Sequence, residues 1–245
     1  LLKMVPCLAE IKIGGIRMHK ITQSYLKLQS PKDHRGNIVI FLFVFLDIMG
    51  IIPIISEPFS PVFFWPTIFP IIFIHLWALL YIFAPYKFEL SYYLFMGVYG
   101  IINTYVFFMV IQKFLYIYIG INTPIVFMTG IVLLVTLLIV YQIANLKLLH
   151  SGTYSKLHKN EVKVNFSPVL AASGIGYAFS QLVLSVFSGG MTQIIILIFL
   201  FSIMSIITAF LSLHLHKYLF IRKNMKTVRE LYPWFGLAKK DRKAI

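Results

Sequence analysis

Runs of about twenty almost uncharged apolar residues recur along most of this chain, and they restrict it more than any other feature. At ~1.5 Å of rise per residue, each is long enough to cross ~30 Å of hydrocarbon as an α-helix. The runs are continuously apolar instead of alternating, which argues against a transmembrane β-barrel. Six are distinguished: Asn37 to Ser56, Val62 to Ala84, Ser91 to Leu115, Pro124 to Leu146, Ser167 to Ser188, and Thr192 to Leu213. Charged residues make up only 12% of the sequence against 59% hydrophobic, too few to cover a soluble surface. The expected fold class is therefore all-α, a polytopic bundle of six membrane-spanning helices.

Lysine and arginine set the expected orientation. Lys20, Lys27, Lys32 and Arg35 precede the first run, Lys87 lies in the second connection, and Lys147, Lys156, Lys159 and Lys163 lie in the fourth. Lys217, Arg222, Lys223, Lys226, Arg229, Lys239, Lys240, Arg242 and Lys243 follow the sixth. The first and fifth connections have none, and the third has at most Lys113 at its edge. Alternate segments are basic, as an even number of crossings with both termini in the cytoplasm requires. The net charge of +14 is thereby assigned to topology and anionic lipid, with no basic, aromatic-interleaved domain left for nucleic acid.

Residues 1–17 read as a non-native or disordered leader. Gly14-Gly15-Ile16-Arg17 directly before Met18 looks like a translated ribosome-binding site, so synthesis is expected to start at Met18. Residues 18–36 form a cytoplasmic amphipathic segment with Ile21, Tyr25 and Leu28 on one face. Residues 37–213 form the transmembrane domain and residues 214–245 a basic cytoplasmic tail. In that tail Ile221, Met225, Val228 and Tyr232 share a face opposite Arg222, Lys226 and Arg229. Both flanks are expected as short interfacial helices, with Arg222, Lys223, Lys226 and Arg229 against anionic head groups. A solvated, membrane-hugging tail is preferred to a specifically docked one.

Polar groups inside the runs are the candidates for function. Counting from the cytoplasmic ends of their helices, Asp47 lies at a depth of ~15 Å, His75 ~13 Å and Asn103 ~18 Å. A carboxylate facing lipid at such depth costs several kcal/mol, so Asp47 is expected to turn inward beside His75 or Asn103, or to stay protonated. Two roles remain open for the three: a midplane substrate, ion or proton site, or a structural polar clasp. Small residues form packing stripes: Gly97 and Gly100, in line with Asn103, on the third run; Ala172, Gly176 and Ser180 on the fifth; Ser202, Ser205, Ala209 and Ser212 on the sixth. The fourth run lacks polar residues over Ile131 to Val135 and Leu137 to Val140 and should face lipid. Thr123-Pro124 and Ser167-Pro168 each place a capping hydroxyl before a first-turn proline.

Recognised catalytic motifs are missing. There is no P-loop, no dinucleotide-binding glycine pattern, no HExxH and no G-x-S-x-G. Cys7 is the single cysteine, and His214 and His216 point apart on a helix, so no cofactor, metal or enzymatic activity is expected. The layout, with six helices, cytoplasmic termini and an amphipathic segment before the first helix, resembles that of small ABC-exporter permease subunits, including those that protect Gram-positive bacteria from peptide antibiotics. This resemblance is one of architecture and transfers no residues. It implies a transport or export component partnered by a separate ATPase subunit or by copies of itself. The alternatives are a non-catalytic membrane interaction protein (immunity, sporulation or sensor-regulatory) and, more remotely, an intramembrane enzyme. The richness in Ile, Phe and Lys suggests an AT-rich genome, compatible with a low-GC Gram-positive, and the expected location is a bacterial cytoplasmic membrane.

Overall fold

A computed structural model of the chain describes residues 25, 26, 28, 30–151, 153, 154 and 190–244. The fifth apolar run, with Ala172, Gly176 and Ser180, lies outside the described residues, as does the leader. Among the described residues every regular element is helical. Five helices are long and apolar enough to cross a membrane, which marks the chain as a membrane protein.

Helix α1 comprises Pro31–Ile40, Phe41–Ile51 and Ile52–Ile55 in succession, and α2 spans Pro61–Phe83. Helix α3 spans Glu89–Lys113 and continues through the wide turn Phe114–Tyr118; α4 spans Pro124–His150. Helix α5 covers the sixth apolar run as Gly190–Ala209, a tight 3₁₀ turn Phe210–Ser212, and Leu213–Lys223. A short α6, Met225–Leu231, begins the tail. Prolines at the first turn of α2 and α4 match their fixed φ to the helix. Thr123 occupies the residue before α4, yet its hydroxyl makes no capping bond; its carbonyl accepts from Tyr116 Oη at 2.8 Å instead.

Several helices outrun their expected limits. α1 starts at Pro31, six residues before Asn37, because the charged stretch through Arg35 continues the helix beyond the apolar run. α5 does not stop at Leu213 but extends to Lys223. Hydropathy locates the part of a helix that suits lipid, and these ends project past it.

Helix α3 is the central post, with 67% of its apolar window buried against none for α4. Its turns present three stripes. Tyr99, Asn103, Val106, Val110 and Lys113, at alternating four- and three-residue steps, are all at 0% exposure. Tyr99 Oη donates to the Phe41 carbonyl of α1 at 2.6 Å, and Val106 fills the space above Gly50, so this stripe faces α1. Gly97, Gly100 and Thr104 face α5: Thr104 Oγ1 lies 3.2 Å from Thr208 Oγ1, and backbone of residues 211–215 crosses directly over the two glycines. Phe108 and Gln112 meet Gly130 of α4. Without a hydrophobic force between helices in lipid, close contacts of this kind hold the bundle together.

Those contacts also fix directions. α1 and α3 run parallel, and α2, α4 and α5 run opposite to them. α4 and α5 are thus parallel to one another: Phe127 near the start of α4 meets Phe108 of α3, whose neighbour Phe107 meets Phe201 of α5, and Gln142 in the second half of α4 donates to the Ser212 carbonyl at 3.0 Å. Large apolar side chains point outward all round, among them Phe83 at 78% exposure and Ile125 at 75%. The stretches 131–135 and 137–140 of α4 contain no buried residue. An outward-facing apolar surface of this extent suits hydrocarbon and not water.

The tail is docked, which corrects the expectation of a solvated one. Ile221, Val228 and Phe235 are buried with Tyr25, Leu26, Tyr93 and Leu149 in one cluster at the basic end of the bundle. The amphipathic pattern of the tail is real, but its apolar face meets protein instead of lipid. Arg222, Lys223, Lys226 and Arg229 lie on its exposed side.

Candidate functional site

Asp47 sits in a widened stretch of α1. From Phe41 to Ile51 the helix has i→i+5 hydrogen bonding, and the Ile52 N–H reaches the Asp47 carbonyl. The burial pattern explains the widening. Ile38, Leu42, Leu46, Gly50 and Ile54 are all buried at strict four-residue spacing. In an ordinary α-helix a four-residue step overshoots a full turn by about 40°, so this stripe would wind off α3. Wider turns bring it back, and such turns are frequent at functional sites. Asp47 falls at the border between this stripe and the outward-facing Phe43, Val44 and Ile48.

On α2, His75 occupies the matching border beside buried Ile71, Ile74 and Ala78. The two side chains meet, with His75 Nε2 3.1 Å from Asp47 Oδ1. His75 Nδ1 lies 2.9 Å from the Ile71 carbonyl. A carbonyl only accepts, so Nδ1 carries a proton. A hydrogen bond between Nε2 and Asp47 Oδ2, 3.4 Å apart, then needs one shared proton, as imidazolium with carboxylate or as neutral imidazole with carboxylic acid. Both arrangements are neutral overall, which suits the depth at which they sit. The pair is not sealed: the His75 side chain is 37% exposed and that of Asp47 32%. Chemically it is a proton-holding dyad on the α1–α2 seam, open on one side.

Asn103 is not part of that contact. It lies on the α3 stripe that faces α1, between Tyr99 and Val106, but neither its Oδ1 nor its Nδ2 has a hydrogen-bond partner. It also falls off the line of Gly97 and Gly100, whose face is continued by Thr104. A buried amide without partners costs about 1–3 kcal/mol. Asn103→Leu, similar in volume and without polar atoms, is therefore expected to raise unfolding stability by about 1 kcal/mol, read as a higher Tm in detergent. A lower Tm would mean that the amide is satisfied in the folded protein.

The packing residues divide similarly. Ser205, Ala209 and Ser212 are buried, whereas Ser202 is half-buried and bonds back to the Ile198 carbonyl at 2.8 Å. Ser202 and Ser205 border a groove of about 520 Å³ between α3, α4 and α5, next to Gln112 and Gly130.

Sequence reasoning missed three polar groups. Lys113, read as a loop-edge charge, is fully buried. Its Nζ donates to the carbonyls of Pro53, Ile54 and Ser56 at 2.9, 3.0 and 2.6 Å. Glu89 is 1% exposed; it accepts from Arg242 Nη2 at 2.5 Å and from the Gly236 N–H at 2.8 Å. Gly236 has φ +78°, a backbone shape that glycine adopts without strain and that aims its N–H at the carboxylate. Tyr25 Oη lies 2.7 Å from His216 Nδ1 and accepts from Asn145 Nδ2, and burial raises the pKa of its phenol above the ordinary tyrosine value. The available signal was scarcity: the chain has only 8 acidic residues, so each one inside or beside an apolar run merits a search for its partner. No cluster of three or more His, Cys, Asp or Glu side chains forms among the described residues. The sequence matches no protein-family model, and no curated protein or solved structure matches it.

Proposed function

We propose that the chain is a permease-like component of a transport or export system, crossing the membrane six times with both termini in the cytoplasm. Two observations support the topology. α4 and α5 run parallel, which fits an even number of crossings if the apolar run Ser167 to Ser188, which lies between them in the sequence, also spans the bilayer. Arg35, Lys87, Lys147 and the tail cations also gather at one end of the bundle, the arrangement favoured on the cytoplasmic side.

The single observation that carries the functional reading is the Asp47–His75 contact, 3.1 Å long and open on one side. Ionisable groups inside membrane helices mark ion or proton paths more often than scaffolding. The dyad is the proton- or cation-handling element in this proposal, and a separate ATPase subunit supplies any nucleotide-driven step. Lipid is the first partner, through the exposed cations of the tail.

The test uses the full chain in liposomes that contain a pH-sensitive dye, under an imposed pH gradient with the potential clamped. Wild type is expected to collapse the gradient faster than empty vesicles do. Asp47→Asn, which keeps the size and removes the titrating acid, is expected to slow the collapse at least ~10-fold, the scale on which a positioned proton-transfer group acts. Equal rates for wild type and variant would remove the dyad from any transport role. A wild type no faster than empty vesicles would remove the proton reading altogether.

A second reading, a membrane interaction protein, is favoured by the docked tail, which holds Arg222, Lys226 and Arg229 outward on a fixed scaffold. It predicts that an acidic protein partner is lost when Arg222, Lys226 and Arg229 are neutralised and is retained in Asp47→Asn.

A further inference from the structure

At the basic end, the docked tail borders an open cavity of about 600 Å³. Its wall is assembled from three distant parts of the chain: Arg35 of α1, Phe83 to Lys87 at the end of α2, and Gly236 to Lys239 of the tail. Arg35, Lys87 and Lys239 bring three positive charges to it, and among the described residues no acidic one lines it. None of the three has an ion-pair partner among the described residues. Glu89, two residues from Lys87, does not line it, and its Oε2 already accepts from Arg242 and from the Gly236 N–H. That bond fixes the tail and at the same time withholds the carboxylate from the cavity. Arg242 is further held against the rings of Tyr86 and Trp234, 5.0 and 5.2 Å from their centroids. The site thus gathers three exposed cations around one cavity. Cations brought together without a counter-charge repel one another, and an anion among them relieves that repulsion.

The surroundings narrow the anion. Phe83, the last residue of α2, projects almost fully exposed from the apolar surface beside the cavity, and Tyr86 lines it. Aromatic residues at a helix end mark the head-group level of a bilayer. We propose that this cavity binds a phosphate group, with arginine and two lysines as its ligands, and that an occupied cavity holds the tail closed against the bundle. The chemistry shared by possible sources is the phosphate anion: either the head group of an anionic lipid, whose chains would lie along Phe83, or a soluble phosphate. This goes beyond the Asp47–His75 reading and does not depend on it.

The experiment uses the full chain in a neutral detergent, with dioleoyl-phosphatidylglycerol and phosphatidylcholine titrated in and bound lipid counted by native mass spectrometry. Wild type is expected to retain one phosphatidylglycerol at least ~10-fold more tightly than phosphatidylcholine. At about fivefold per cation near a head group, the triple variant Arg35→Gln, Lys87→Gln, Lys239→Gln should weaken it about 100-fold. A control that removes an exposed positive charge elsewhere at the same end, Lys147→Gln, should change it less than threefold. In parallel, tryptic release of the tail is timed. Slowing by phosphatidylglycerol alone assigns the site to lipid, and equal slowing by millimolar inorganic phosphate assigns it to a soluble source. Arg242→Gln, which unlatches the tail without removing any of the three cations from the chain, should abolish either protection. A loss of lipid in Lys147→Gln as large, per charge removed, as in the triple variant, or tail release that neither compound slows, would overturn the proposal.

Discussion

Lys113→Met is expected to destabilise the folded bundle by about 3 kcal/mol. The last turn of any helix leaves carbonyls without partners and carries the negative end of the helix dipole. α1 ends against α3, with Ile54 buried and Pro53 and Ser56 half-buried, so its last carbonyls have limited access to water. The ammonium of Lys113 serves them, donating to all three at hydrogen-bond distance from a fully buried position on α3. Methionine keeps most of the volume of the stem and removes every donor. Each charge-assisted bond contributes about 1.5–3 kcal/mol, but the three share one charge, and deleting it also returns the cost of having buried it. A net loss near 3 kcal/mol is the balance. The check is equilibrium unfolding in mixed detergent micelles, monitored by tryptophan fluorescence. An unchanged midpoint would show that the three carbonyls are satisfied without the lysine. The effect should also reach the dyad. Lys113 sets how far α1 slides along α3, so the variant is expected to lose flux together with stability, whereas Asp47→Asn should lose flux alone.

What sequence could and could not reveal follows from the range of each interaction. α2 was placed to within a residue at each end, because its prolines and polar turns act locally. Asp47 and His75 were brought to one depth by helical rise alone, and a connection of only five residues, Ser56 to Ser60, ties their helices together. Beyond that, contacts depend on which face of each helix turns where. Asn103 had the right depth but sits on a different helix face from the one inferred, separated from the dyad. The widened turns of α1 could have been suspected from apolar residues at every fourth position, a pattern that an unbroken α-helix does not keep aligned. Lys113 was misread because a lysine at a helix end usually reaches water, and nothing near it in sequence shows that α1 ends beside it. The Glu89–Arg242 latch joins residues 153 positions apart, with no local pattern to announce it. For the tail, the helical periodicity was correct and the partner was wrong: a stripe of Ile, Met, Val and Tyr is equally suited to lipid and to a protein surface.

The seam between α3 and α5 supplies the sharpest test of how the bundle is held, because a single methyl group is expected to have opposite effects at two glycines. At Gly100 an added Cβ would lie 2.7 Å from Leu211 Cβ and 2.7 Å from the Ser212 nitrogen, and at Gly97 it would lie 2.7 Å from the Leu215 nitrogen. Backbone atoms cannot rotate out of the way, so α5 must move off. Contacts along the whole seam then weaken together, since dispersion falls steeply over a fraction of an ångström. In lipid no hydrophobic term compensates, because the surfaces that part are as apolar as the acyl chains that would enter. Gly100→Ala is expected to cost about 2 kcal/mol, and Gly100→Val, with two more methyls against the same backbone, about 4 kcal/mol. Gly36 also lies in a helix but has nothing within 4 Å of the position its Cβ would take. There the substitution only removes backbone freedom from the unfolded chain, so Gly36→Ala is expected to stabilise by about 0.5–1 kcal/mol. Unfolding midpoints of the three variants in one detergent system decide the matter. Equal shifts for Gly36→Ala and Gly100→Ala would mean that the glycines of α3 are not where the two helices touch, and that the small-residue stripes do not hold this bundle together.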